Sequence, residues 1–342
     1  MKAKATSFDI AYKAGVSQST VSRALRNSPL VNEATREKIQ AIAKELNYKV
    51  DKNASNLRSQ QSDTIALLLF ADPTNDDSDI NPFFLSMLGS ITRACAKKGY
   101  DLLVSFQQAS DDWHADFEDS NKADGLILLG YGDYVDYEEK LIKLLEQGTH
   151  FVRWGAEVKN LPLISIGCDN HQGGIEMTEH LIKKGRTKLA FLGSASSHAP
   201  EFFDRYKGHC WSLKDNNIAV NQHLQFNALY TEEAGYQAAC KLIASGEPFD
   251  AICAACDLIA IGAMRALQEH GISIPEQVAL VGFDDIAVAS FTFPPLTTVK
   301  QDTQLAGELL VNTLLIMIHG EAAKTTLIPP ELVIRKSCGS GL

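Results

Sequence analysis

The stretch AGVSQSTVSRALRNSP, Ala14 to Pro29, is rich in groups that grip without reacting: five hydroxyls, two carboxamides and two guanidiniums behind a helix-breaking Gly15. Arg pairs bidentately with guanine, Gln with adenine, and Ser with either, so these residue types suit the edges of bases and the phosphates beside them. Other chemistry is weaker. Cys253 and Cys256 in AICAAC have redox or zinc spacing, but they end an apolar run with no second pair and no His cluster. They read as small core residues, and no metal is expected. Asp284 and Asp285 are adjacent, and neighbouring carboxylates on one strand seldom converge on one substrate atom. GYGDYV lacks the third glycine of a dinucleotide loop. With no phosphate loop, nucleophile elbow or zinc-binding helix either, the chain is not expected to be an enzyme or to need a cofactor.

Charge localises the gripping surface. The chain of 342 residues has a net charge of −10, yet up to Gln60 it carries eleven Lys and Arg against five Asp and Glu. That makes a head of +6 and leaves −16 for the rest, the asymmetry of a nucleic-acid module joined to something else. The length implies two or three compact units. Seven scattered cysteines suit reduced thiols, and MKAKATSFDIAYKAGV has no apolar signal core, so a cytoplasmic protein without membrane association is expected.

Three helices must carry the head. SFDIAYKA puts Ile10, Ala11 and Ala14 on one face, and Gly15 supplies the turn of a helix-turn-helix. Ser17 caps a second helix with Val21, Ala24 and Leu25 inward. Asn32 caps a third with Ile39, Ile42, Ala43 and Leu46 at helical spacing, ending near Asn47. The polar run KVDKNASNLRSQQSD is linker. Beyond it, apolar runs (TIALLLF, DLLVSF, DGLILLG, HFVRW, LPLISI, KLAFLG, AICAA, QVALVGF) alternate with helical stretches such as Pro82–Lys98, Gln172–Lys184, Glu232–Ser245 and Leu258–His270. Repeated strand–helix units mean parallel sheets covered on both faces. About 280 residues exceed one comfortable core, so two α/β lobes with a ligand cleft at the strand ends are expected.

TSFDIAYKAGVSQSTVSRALRNSPLVNEATREKIQAIAKELNY resembles the DNA-binding head of the LacI/GalR family of bacterial transcription regulators, and GFDD (282–285) and PPLTTVKQD (294–302) extend the resemblance over the chain. It implies a head at 1–48, a hinge helix at 49–62 and a periplasmic-binding-protein-like body at 63–342. The lobes are expected at about 63–164 with 292–321, and 165–291 with 322–342. The second helix of such a head lies in the major groove, which sets Gln18 and Ser19 against bases and Ser22 and Arg23 one turn on. Thr6, Ser7, Ser17, Thr20 and Asn32 are placed for phosphates. Phe8 stands where relatives often carry Tyr. In the hinge, the resemblance implies that Leu57, with Ala54 beside it, wedges into the minor groove, although Val50 and Asp51 replace the usual Pro-Asn.

For the body, the resemblance implies an effector held by Phe83, Phe84, Trp154, Arg205, Tyr230, Asp284 and Gln301, with Glu201 and His198 as further polar contacts. The family's Asn-Asp pair reads Cys256-Asp257 here, with Asp257 kept as a contact. Aromatic faces with carboxylate and guanidinium groups suit a mono- or disaccharide, while Trp113 and Trp211 read as lobe packing. RKSCGSGL has no heptads, so a homodimer on a pseudo-palindromic operator is expected rather than a tetramer. A repressor released by a small carbohydrate is the leading reading. A corepressor-dependent regulator, or a cytoplasmic solute-binding module with an incidental bundle, are the alternatives.

Overall fold

The computed structural model describes residues 5–48, 61–70, 80–106, 112–130, 134–157 and 161–339, the side chains of 134–136 excepted. Contacts divide the chain into a unit ending at Ser62 and a unit starting at Asp63.

In the head, α1 (Ser7–Ala14), α2 (Gln18–Leu25) and α3 (Glu33–Glu45) follow their caps. Thr6 and Asp9 form a reciprocal capping box, the Ser17 hydroxyl accepts from Thr20 N–H at 3.2 Å, and Asn32 Oδ1 accepts from Thr35 N–H at 2.8 Å. Gly15 ends α1 at φ 71°, a left-handed conformation that suits glycine. Helices of eight residues are marginal alone. Here Ile10, Val21, Ala24 and Ile39 close a solvent-free core between them. Lys38 also donates to the Ala14 carbonyl at 3.0 Å, tying α3 to the end of α1.

The body has two six-stranded sheets. The first runs from β1 (Thr64–Leu69) through α4 (Pro82–Lys98), β2 (Asp101–Phe106), β3 (Gly125–Leu129), α5 (Tyr134–Glu146), β4 (Phe151–Trp154) and β5 (Ser165–Cys168). The second continues with α6 (Asn170–Lys183), β6 (Leu189–Leu192), α7 (Pro200–Asp215), β7 (Gln225–Phe226), α8 (Glu232–Ser245), β8 (Ala251–Ala254), α9 (Asp257–Glu269), β9 (Ala279–Asp284) and β10 (Thr297–Lys300). Then α10 (Thr303–Ile318) and β11 (Thr326–Ile328) return to the first, and β12 (Glu331–Val333) ends in the second. The orders are β11-β5-β4-β3-β1-β2 and β12-β10-β9-β8-β6-β7, parallel apart from β12. Strands β3 and β9 are buried along their whole length, as parallel strands covered on both faces must be.

This corrects the expected lobe boundaries. Ser165–Cys168 pairs with β4 and Thr326–Ile328 with β5, so both belong to the first lobe. Thr297–Lys300 pairs with β9 and belongs to the second. Apolar runs announce a strand but not the sheet it joins; the backbone partner decides that. The chain therefore crosses between lobes at 168–170, 300–303 and 328–331.

His209, on α7 and buried in the second lobe, gives the core a titratable element. Thr178 donates its hydroxyl to the Gly174 carbonyl at 2.8 Å, so His209 Nδ1–H donates to the Thr178 oxygen at 2.9 Å. Burial pushes the imidazole from 6.5 down to about 4. The folded state holds His209 neutral while the unfolded chain takes up a proton below 6.5. Its stabilising contribution is thus complete above 6.5 and lost as pH falls towards 4. In urea denaturation between pH 6 and 4.5, wild type should lose about 1.2 kcal/mol per pH unit more than His209→Gln. Parallel profiles would show that the imidazole is solvated.

Candidate functional sites: the head and the cleft

On the head, the expected nucleic-acid residues gather at helix starts. Thr6, Ser17 and Asn32 are the N-caps of α1, α2 and α3. Helix N-termini offer backbone N–H groups and a favourable dipole to phosphate. Ser17 Oγ lies 2.8 Å from both Ser19 Oγ and Thr20 Oγ1, so three hydroxyls form one patch at the start of α2. Gln18 is half-buried, its Nε2 donating to Ser7 Oγ at 2.8 Å, which orients the amide. Ser22 is half-buried and Arg23 exposed one turn along. Tyr12, 91% exposed on α1 with Phe8 67% exposed four residues before it, is an addition from the structure; two aromatics one turn apart on that helix are the available signal. Ala54 and Leu57 lie outside the described residues.

The cleft is built on a buried cation. Arg205, in the second turn of α7, is 1% exposed. Its Nε donates to Asn170 Oδ1 at 2.9 Å, its Nη1 to the Ala255 carbonyl at 2.5 Å, and its guanidinium lies 3.7 Å over the Phe283 ring. Asp284 Oδ1 sits 3.6 Å from Nη1 and accepts from Gln301 Nε2 at 2.6 Å. Asp284 and Asp285 turn the chain at the end of β9 with φ of 110° and 55°. Such backbone is strained and must be held by its surroundings.

Asp257 does the holding, which corrects its expected role as an effector contact. It is fully buried, accepting from Ile286 N–H at 2.9 Å and from the Thr298 hydroxyl at 2.6 Å. Burial first, then the nearby Asp284 charge, pushes its carboxyl well above the usual range. From the other side, Arg335 pairs with Asp285 at 2.6 Å.

Cavities between the lobes, among the described residues, include a larger and a smaller one. The larger, about 380 Å³, is lined by Pro82, Phe83 and Ser86 of the first lobe and by Asp284, Lys300 and Gln301 of the second, among others. This volume lies in the range of small-molecule sites. The smaller, about 40 Å³, is lined by Phe70, Tyr137, Arg153, Trp154 and Glu201, among others. The expected effector residues therefore separate. Phe83, Asp284 and Gln301 meet at the larger cavity. Trp154, 5% exposed, stands at the smaller one with its ring centroid 6.0 Å from that of Phe83, and so is no platform for a ligand in the larger. Phe84 packs edge-on to Phe83 at 5.2 Å, and Tyr230 packs tilted against Phe202 at 4.9 Å; both are buried and line neither cavity. Arg205 also lines neither and acts through Asp284. His198 is exposed, and Trp113 packs in the first-lobe core, whereas Trp211 is half-exposed. Sequence reasoning missed Asn170, Phe283 and Arg153, because a buried polar contact leaves no periodic mark.

Cys253 and Cys256 are both buried, and burial pushes Cys253 up to about 12, far from a redox or metal-binding thiolate. Among the described residues no cluster could hold a metal, and no helix is long and apolar enough to cross a membrane.

A capped, basic helix-turn-helix unit and a two-lobed body with a ligand-sized cleft define a ligand-responsive DNA-binding regulator. Residues 8–51 match "Bacterial regulatory proteins, lacI family" and residues 178–338 match "Periplasmic binding protein-like domain". The chain is 30% identical over 335 residues to the "Probable HTH-type transcriptional repressor ExuR" of Bacillus subtilis (strain 168), covering 96% of this chain and 97% of that one. A lac repressor dimer bound to operator and the anti-inducer ONPF superposes with a TM-score of 0.83 at 27% identity, over 98% of this chain and 99% of that one. The complex of the transcriptional regulator CelR with cellobiose gives 0.72 at 26%, over 97% and 99%. The chain belongs to the lacI family of bacterial regulatory proteins; it is a DNA-binding transcription regulator and not an enzyme.

The support under the β9 turn is directly testable. Asp257→Asn should stay within about 1 kcal/mol of wild type, because an amide still accepts from Ile286 N–H and can donate to Thr298. Asp257→Ala leaves both partners buried and unpaired and should cost about 2–4 kcal/mol. Urea midpoints check both, and equal losses would mean that the carboxylate charge itself stabilises the turn.

Proposed function

We propose that the protein is a cytoplasmic, homodimeric repressor that grips a pseudo-palindromic operator through its head, with residues 49–62 as hinge. A neutral mono- or disaccharide in the larger cavity releases it. The observation that carries the choice of ligand is charge balance around the cleft. Arg205 faces Asp284 at 3.6 Å, and Arg153 faces Glu201 at 3.6 Å. Neither guanidinium lines the larger cavity, where an anionic ligand would face the Asp284 and Asp285 carboxylates beside Lys300. Sugar hydroxyls can instead donate to a carboxylate and accept from N–H groups without unpairing either cation. The cellobiose complex of a structural neighbour supports this reading, and the operator-bound lac repressor dimer supports the DNA and dimer roles.

Two apolar surfaces in the body support a second copy. Edge strand β2 exposes Leu103, Val104 and Phe106, and Phe291 and Phe293 are 82% and 87% exposed. Open edges and apolar patches of this kind call for a partner. The dimer then presents two heads to two half-sites. For release, the sugar must bind the non-operator arrangement more tightly than the operator-bound one.

A carbohydrate panel screened by thermal shift should yield a ligand that adds about 2.7 kcal/mol at 100 times its Kd. The same sugar should lower affinity for a duplex selected from a random pool; a rise in affinity would make it a corepressor. Asp284→Asn should lose most of that response while keeping sugar-free DNA affinity within about threefold, because the two sites lie in separate units.

DNA affinity of the full chain should fall steeply with salt, by about 0.9 log unit per log unit of salt for each phosphate neutralised. Gln18→Ala should lower discrimination at one base position by about 1–3 kcal/mol. A flat salt response would remove the electrostatic basis of the head.

A further inference from the structure

At its Trp154 end the cleft is closed by the protein's own charges. Glu201 lies in the first turn of α7 in the second lobe, and Arg153 lies on β4 in the first. Glu201 Oε1 accepts from Ala156 N–H at 3.0 Å and stands 3.6 Å from Arg153 Nη2, which itself donates to the Ala156 carbonyl at 3.2 Å. The two side chains are 8% and 13% exposed, so solvent screens the pair weakly. Gly155, between the first-lobe partners, has φ 154°, and a Cβ there would collide with Arg153 Nη2 and lie 2.8 Å from Glu201 Oε1. The larger cavity, lined by Phe83 and Asp284, stays open while this contact is made.

We propose that Arg153 and Glu201 form an inter-lobe latch, with Gly155 making room for it, that holds the lobes together at the Trp154 end before any ligand arrives. Both are positioning residues. The contact joins one element of each lobe, so its strength contributes to the population of the closed arrangement. A ligand of the larger cavity binds that arrangement with an affinity scaled by the closed fraction. This consequence for ligand binding rests on the effector reading above; the latch itself does not.

The test is hydrogen exchange on the ligand-free full chain, with small-angle scattering alongside. Glu201→Gln keeps an acceptor for Ala156 N–H and removes the charge, and Arg153→Gln removes the charge from the other lobe. Both variants should exchange the Ala156 amide about tenfold faster than wild type and scatter with a larger radius of gyration, while amides of Leu126–Leu128 in β3 keep their protection. Gly155→Ala should act in the same direction by displacing the pair. Unchanged exchange at Ala156 in both charge variants overturns the proposal. So does an equal loss of protection in β3, which would make the pair a support of the fold. Neither readout uses a sugar, so a failed carbohydrate screen would sink the effector reading and leave this test standing.

Discussion

A guanidinium cannot escape burial by losing its proton, and Arg205 is buried. Everything around it follows from that constraint. Taking the charge out of water costs several kcal/mol unless its donors find acceptors in good geometry. The helix start at Asn170, the strand end at Ala255, the Phe283 ring and the Asp284 carboxylate all converge to provide for it. These groups come from α6, the end of β8 and β9, so one side chain fixes how three neighbouring strand–helix units of the second lobe finish. The cleft wall is therefore rigid at the point where Asp284 is presented.

That rigidity contrasts with the joints between lobes. The chain passes from one sheet to the other through short segments at 168–170, 300–303 and 328–331. Asn170 and Gln301, at the first two crossings, are also the residues that bind Arg205 and Asp284. A ligand touching Asp284 thus touches a group bonded to the hinge itself. Hinge motions are absorbed by a few residues at the ends of elements. Placing the charged wall on those residues couples occupancy of the cleft to the angle between lobes without a long relay.

Legibility in the sequence followed the range of each interaction. The head is legible in detail because caps, a glycine turn and helical periodicity act within four residues: Ser17 and Asn32 cap where their spacing places them, while the Thr6 cap of α1 is an addition from the structure. The strand–helix alternation was legible for the same reason, and the two-lobed parallel architecture with it. Strand partners were not, so β5, β10 and β11 were assigned to the wrong lobe. The cleft was legible as a set of residues but not as an arrangement. Resemblance gave Asp257 and Tyr230 as contacts, yet one holds the turn at Ile286 and the other packs on Phe202, because a name in a motif says nothing of which way a side chain points.

The Arg153–Glu201 and Arg205–Asp284 pairs bear on each other. Both set a guanidinium 3.6 Å from a carboxylate, too far for a good hydrogen bond, so neither is an optimised ion pair. Each carboxylate instead makes its shorter bond to a neutral donor, Ala156 N–H for Glu201 and the Gln301 amide for Asp284. Neutral donors fix where the carboxylates stand, while the cations supply field without tight contact. Of the four groups only Asp284 lines the larger cavity, and a ligand hydroxyl can donate to it without breaking the Gln301 bond that positions it. Pairs drawn tight would have no capacity left for a ligand, and unpaired cations would select an anion. Loose pairing lies between these limits and favours a neutral, hydroxyl-rich molecule.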